Sequence, residues 1–271
     1  MTERRAAAGR GADEASAGVP RAAGDLAPAL VDAARTLAER AARIADPAAA
    51  RRLLDEADVK LAVATTLGPP SAEAMLAWAT VSAALARRTE TPAEAERLFD
   101  LADDRFAEAA HRQPDRSDAL AVWAGDLVAR AAACDDPDEA ERLHGLADAV
   151  FAQALRVHPR RYDVMCDRVA ALIGLAHRAD DLDAADAVLD RAEQACRAAL
   201  ALVPDETYTF ACIAALRGRA EDCRDALEAA ERAATLPPAE HVAADEDLAA
   251  VRGEPWFREL LERRRPRSTA H

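Results

Sequence analysis

Pro69, Pro114, Pro159 and Pro204 fall at a constant step of 45 residues. A chain that repeats itself at such a step folds as stacked copies of one small unit, each burying its apolar face against its neighbours. Two other columns keep the step: Leu30, Met75, Leu120, Met165 and Phe210, and Leu61, Phe106, Phe151 and Cys196.

Composition says what the unit is made of. Of the 271 residues 74 are alanine, aromatics are only 4%, and the commonest companions are Leu, Arg, Glu and Asp. Such a sequence is helical nearly throughout, with a thin interior between closely spaced helices. No alternating run of Val, Ile and aromatics marks a strand, so the fold is expected to be all-α. A net charge of -14 with a single lysine, Lys60, argues against nucleic acid, whose phosphates demand clustered cations. No apolar run is long enough for a membrane span. The first 24 residues have no apolar core of a signal peptide, which points to a cytoplasmic protein. Five cysteines at spacings of 32, 30, 16 and 11 form no disulfide framework and read as reduced packing residues.

Residues 1–24, rich in Ala, Gly and Arg without apolar period, are expected to form a disordered arm. Residues 25–238 carry helix pairs, 239–264 a capping segment and 265–271 a disordered tail. The second helix of each pair is expected to start at Asp46-Pro47, Thr91-Pro92, Asp136-Pro137 and Asp181-Leu182. There Asp or Thr caps free amides and proline takes the first helical position without losing a needed donor. Thr91 and Glu94 fit a capping box. Each such helix stops just before the proline column. Within it Leu53, Leu98, Leu143 and Val188 share a face with the Leu61 column. Ala57, Ala102, Ala147 and Ala192 lie between, and Ala64, Ala109, Ala154 and Ala199 lie one turn beyond. This stripe is the expected core.

Residues 207–238 resemble the tetratricopeptide (TPR) repeats: Phe210, Ile213, Ala214, Ala226, Ala230, Ala233 and Pro238 sit at the offsets of that consensus of about 34 residues. Arg217 and Ala230 stand where the family usually has aromatics. The earlier copies are longer by about three helical turns, which split across a hairpin would lengthen both helices while keeping their faces aligned. The stretch from Asp245 to Leu261 is similar to the closing segment of bacterial TPR arrays. Its Leu248, Val251, Trp256, Phe257, Leu260 and Leu261 suit an end cap or, alternatively, a plug in a groove.

The resemblance implies a right-handed α-solenoid of about five antiparallel helix pairs, a non-catalytic scaffold or adaptor for another protein, with the first helices lining a concave face. On that basis the partner-binding candidates are Leu76, Thr80, Ala83 and Ala84, then Ala121, Gly125, Val128 and Ala129, then Cys166, Ala170, Ile173 and Gly174. These small, mostly apolar residues suit a peptide or amphipathic helix, and the acidic surface favours a basic one. They would equally suit tight curvature with no groove. Gly125 and Gly174, within expected helices, point to close helix approach or to room for a ligand backbone. The Lys and Asn clamp by which some relatives hold a carboxylate is absent. No catalytic motif, metal-binding spacing or cofactor fingerprint occurs, and His111 and His158 sit at helix ends, where a cation suits the dipole. A self-associating structural module is the alternative, a small-molecule sensor or enzyme-associated subunit a further one.

Overall fold

The structure is a computed structural model that describes residues 21–179 and 181–264, with side chains from Leu26 onward. The expected disordered arm lies outside the described residues as far as residue 20, and the expected tail lies outside them altogether. Among the described residues every regular element is helical. The chain divides into two compact units, Met1–Arg112 and Gln113–His271.

The first unit holds α1 (Arg21–Arg43) paired with α2 (Pro47–Thr66), and α3 (Ala72–Ala86) paired with α4 (Pro92–Arg112). The second holds the pairs α5 (Asp118–Ala132) with α6 (Pro137–Val157), α7 (Tyr162–Ala176) with α8 (Leu182–Leu200), and α9 (Tyr208–Leu216) with α10 (Ala220–Ala233). After them come α11 (Ala239–Ala244), a 3-10 turn (Glu246–Val251) and α12 (Pro255–Arg264). Within each unit every pair packs on the next, as in an α-solenoid.

The local chemistry explains the boundaries. Asp46 accepts from the Ala48 amide at 3.0 Å, Asp136 from Asp138 at 3.1 Å, and Asp181 from Ala184 at 2.7 Å. Each satisfies an orphan donor of the helix it opens. At the Thr91 start the capping box takes another form, in which the threonine hydroxyl donates to the Glu94 carboxylate at 3.2 Å. The four long second helices thus begin at residues 47, 92, 137 and 182. The extra length is shared between both members of a pair: α3, α5 and α7 have 15 residues against 9 in α9. Their partners α4, α6 and α8 have 21, 21 and 19 against 14 in α10.

Phe106 and Phe151 are buried to 1%, Leu61 is fully covered, and the alanines at 57, 102, 147 and 192 have no exposed surface. Small residues bring the helices together, and each buried bulky side chain beside them contributes about 1.5–3 kcal/mol. At the C-terminal end Leu248, Val251, Phe257 and Leu260 join Cys212, Leu227 and Ala230 in one buried cluster. The segment after α10 therefore packs on the last helix pair and completes its core.

Candidate functional site

The first helices present the candidate residues at unequal depth. Thr80, Gly125 and Ala170, which share one position of the 45-residue step, are all exposed, and Ala129 is exposed too. Leu76, Ala84, Ala121, Val128, Cys166 and Gly174 are half-buried. Ala83 is 1% exposed and Ile173 8%, so neither offers a partner a surface, which corrects the sequence expectation for those two. The cause is rotational. Seven residues on a helix fall about 20° short of two full turns, which swings this position inward, whereas four residues overshoot by about 40° toward solvent. A Cβ added at Gly125 would meet nothing within 4 Å, so this glycine borders open space and no close helix contact. A Cβ at Gly174 would touch His144 Cε1 at 3.4 Å.

A further column of the sequence carries acids: Asp58, Asp103, Asp148 and Glu193, again 45 residues apart. Asp58, Asp148 and Glu193 in this column hold side chains further along the chain. Asp58 accepts from Trp78 Nε1 at 2.7 Å, and the Arg105 guanidinium lies 3.8 Å from the centroid of the Trp78 ring. Asp148 accepts from Arg168 Nε at 2.7 Å and from Arg191. Glu193, its side chain 10% exposed, accepts from Arg197 Nη2 at 2.7 Å, Arg219 Nη2 at 2.7 Å and Arg217 Nη1 at 3.1 Å. Burial pushes the Glu193 carboxyl up, but the hydrogen bonds from Arg197 and Arg219 outweigh it and hold the group below its ordinary range. Sequence reasoning missed this column, although its constant step is a signal that could have found it. The step alone does not show that a lone acid in an apolar stripe needs a cation or donor from a neighbouring helix.

Around Glu193 opens a cleft of about 590 Å³ between α8 and the α9–α10 turn, lined by Asp190, Arg191, Arg197, Arg217 and Arg219. Arg217 also pairs with Asp186 and Asp190, whose side chains are 61% and 67% exposed. The Arg197 and Arg219 guanidinium carbons stand 5.7 and 5.9 Å from the centroid of the Phe210 ring. Glycine at φ +68, Gly218, turns the chain between Arg217 and Arg219 so that both reach the same carboxylate.

The three buried thiols, Cys196, Cys212 and Cys223, are poor nucleophiles. All five cysteines are free. Burial pushes Cys196 up to about 11 and Cys223 up to about 12, and burial with the nearby Asp245 and Asp247 charges raises Cys212 as well. Cys212, Asp245 and Asp247 bring ligand-type atoms within 4.8 Å of one another, a proximity invisible in their spacing. Their polar groups already have tasks. Asp245 accepts the Tyr208 hydroxyl at 2.6 Å and caps the Asp247 amide at 3.0 Å, while Asp247 meets His177 Nε2 at 2.6 Å. His158 ends α6 and places Nδ1 3.1 Å from Ser117 Oγ, and His111 lies in the last turn of α4.

No family model matches the chain, and no curated protein matches it by sequence. Among solved structures it is similar to the crystal structure of a thermophilic TPR protein of Thermus thermophilus, at 18% identity and a TM-score of 0.45, over 85% of this chain and all of that one. No helix among the described residues is long and apolar enough to cross a membrane.

Proposed function

We propose that this chain is a TPR-like interaction scaffold that docks an amphipathic or basic helix of a partner protein on the first helices, chiefly α5 and α7. The observation that carries this reading is the row of small exposed residues on two helices packed against each other: Gly125 and Ala129 on α5, Ala170 on α7. A helix whose own apolar face is narrow can approach such a surface closely, with Ala121, Val128, Cys166 and Gly174 forming its half-buried floor. In the first unit Leu76, Thr80 and Ala84 give α3 a surface of the same kind. The net charge of -14 steers a basic partner toward the molecule. Catalysis finds no support in the arginine cleft, whose one deeply buried acid, Glu193, has both oxygens committed to arginines.

Affinity capture with wild type and Ala129→Glu, followed by titration of the recovered partner, tests this. The carboxylate placed on the docking row is expected to weaken binding by about tenfold or more, since it must shed its water against the partner's apolar face and its longer side chain blocks the close approach. Equal capture of the same proteins by both forms would remove the reading.

Self-association is favoured by one separate observation. Val59 and Val63, one turn apart on α2, are 61% and 43% exposed. Sedimentation of wild type against Val59→Lys distinguishes the two, because only an apolar α2 contact between copies is lost in that variant.

A further inference from the structure

We propose that Cys212, Asp245 and Asp247 form a site for a zinc-class divalent cation, which fastens the segment after α10 to the last two helix pairs. The site shares no residue with the helix-docking surface, so it goes beyond that reading.

Separate elements supply the groups. Cys212 stands on α9, Asp245 and Asp247 at the start of the 3-10 turn, and His177 directly after α7. One sulfur and two carboxylate oxygens lie within 4.8 Å of one another, with Cys212 Sγ 3.9 Å from Asp245 Oδ2. A tetrahedral ion with bonds of about 2.0–2.3 Å holds its ligand atoms roughly 3.5 Å apart, so side-chain adjustments of about 1 Å close the set and leave a fourth position for water.

The local charge calls for a cation. Asp245 accepts from neutral donors, the Tyr208 hydroxyl, the Asp247 amide and, weakly, the Cys212 thiol. Asp247, its side chain 20% exposed, meets His177. Among the described residues no lysine or arginine pairs with either carboxylate, and Arg252 goes instead to the Ala244 and Asp245 carbonyls. Two negative charges thus face at most one positive charge, and a divalent ion between them removes their repulsion. The existing hydrogen bonds are those of an outer shell. Each uses one lone pair of a carboxylate oxygen and leaves others free, while Tyr208 aims Asp245 and His177 aims Asp247. Sulfur selects the metal: magnesium and calcium take oxygen ligands, whereas thiolate with carboxylate suits zinc. On binding, the Cys212 thiol gives its proton to water and its sulfur takes the ion.

The test is titration of the reduced, chelator-treated full chain with Co2+, whose bond to thiolate absorbs in the near ultraviolet. One equivalent is expected to produce that band, Zn2+ to abolish it by displacement, and Mg2+ in large excess to leave it. Cys212→Ser should lose the band, Cys196→Ser should keep it, and Asp247→Asn should bind about tenfold or more weakly. Circular dichroism checks that the variants fold, and Asp247→Asn decides alone if Cys212→Ser does not. Zn2+ should also raise the thermal midpoint of wild type and not that of Asp247→Asn. No thiolate band in wild type, a band that survives Cys212→Ser, or equal affinity in Asp247→Asn overturns the proposal. Ala129→Glu should leave metal binding unchanged, so failure here and failure of the helix-docking reading are separate results.

Discussion

Ala234 ends α10 at φ 60 and ψ 26, a left-handed conformation that an L-residue with a Cβ adopts at a cost of about 1–2 kcal/mol. The cost is accepted because it closes the helix: the Thr235 and Leu236 amides both return to the Ala230 carbonyl, at 3.0 and 3.2 Å, and Leu236 enters the core. Ala234→Gly should relieve that strain and raise stability by up to about 1 kcal/mol, the gain being trimmed by the greater freedom of glycine in the unfolded chain. The reverse holds at Gly218, φ +68, where a Cβ would meet no atom within 4 Å, so the penalty of Gly218→Ala is purely one of backbone, about 1 kcal/mol. Urea unfolding of the two variants checks both signs.

At the scale of the helix, the same glycine chemistry separates scaffold from surface. Gly125 sits inside α5 beside open space, so Gly125→Ala should stabilise the unit by about 0.5–1 kcal/mol while reducing partner affinity if the docked helix runs across that row. A rise in thermal midpoint with unchanged partner affinity would detach the glycine from docking. Phe151→Ala acts in the opposite sense: a side chain buried to 1% leaves a cavity in α6 worth about 3–5 kcal/mol. Helix starts were legible nearly to the residue, since Asp46, Asp136 and Asp181 act through bonds within three residues of themselves. The buried stripe was legible for a similar reason, as a constant step makes one face of many helices visible at once. Depth along the first helices was not, because Ala83 and Thr80 stand only about 60° apart around the helix, and which of the two meets solvent is set by how the neighbouring pair packs. The cleft was still harder to read. Arg217 was visible as a departure from the TPR pattern, but its partner Glu193 lies 24 residues away on another helix, joined through a turn that depends on Gly218.

For the molecule as a whole, acid is the condition under which opposing electrostatic effects can be separated. His144 on α6 is 4% exposed, its Nδ1 has no hydrogen-bond partner, and burial followed by the nearby Arg178 charge holds it below the ordinary histidine value of 6.5. The folded state thus binds this proton less readily than the unfolded state. Stability from this site is complete above 6.5 and is lost as pH falls from there through the lower folded value. Glu193, also held below its ordinary 4.5, adds a loss that begins only near that pH, where Glu193 in the unfolded chain starts to take up protons. Against both runs the relief of self-repulsion, for a net charge of -14 shrinks as pH falls toward the isoelectric point near 4.9. Salt screens that repulsion and leaves a buried imidazole nearly untouched, so the contest should be decided at an ionic strength of about 0.15 M or above. His144→Leu removes the titrating group together with its unsatisfied nitrogen. Its unfolding free energy, measured in urea between pH 7.5 and 5 at that salt, should gain steadily on that of wild type as the solution is acidified. Parallel curves would mean that His144 is protonated equally in the folded and unfolded chain, and the acid sensitivity would then belong to the carboxylates alone.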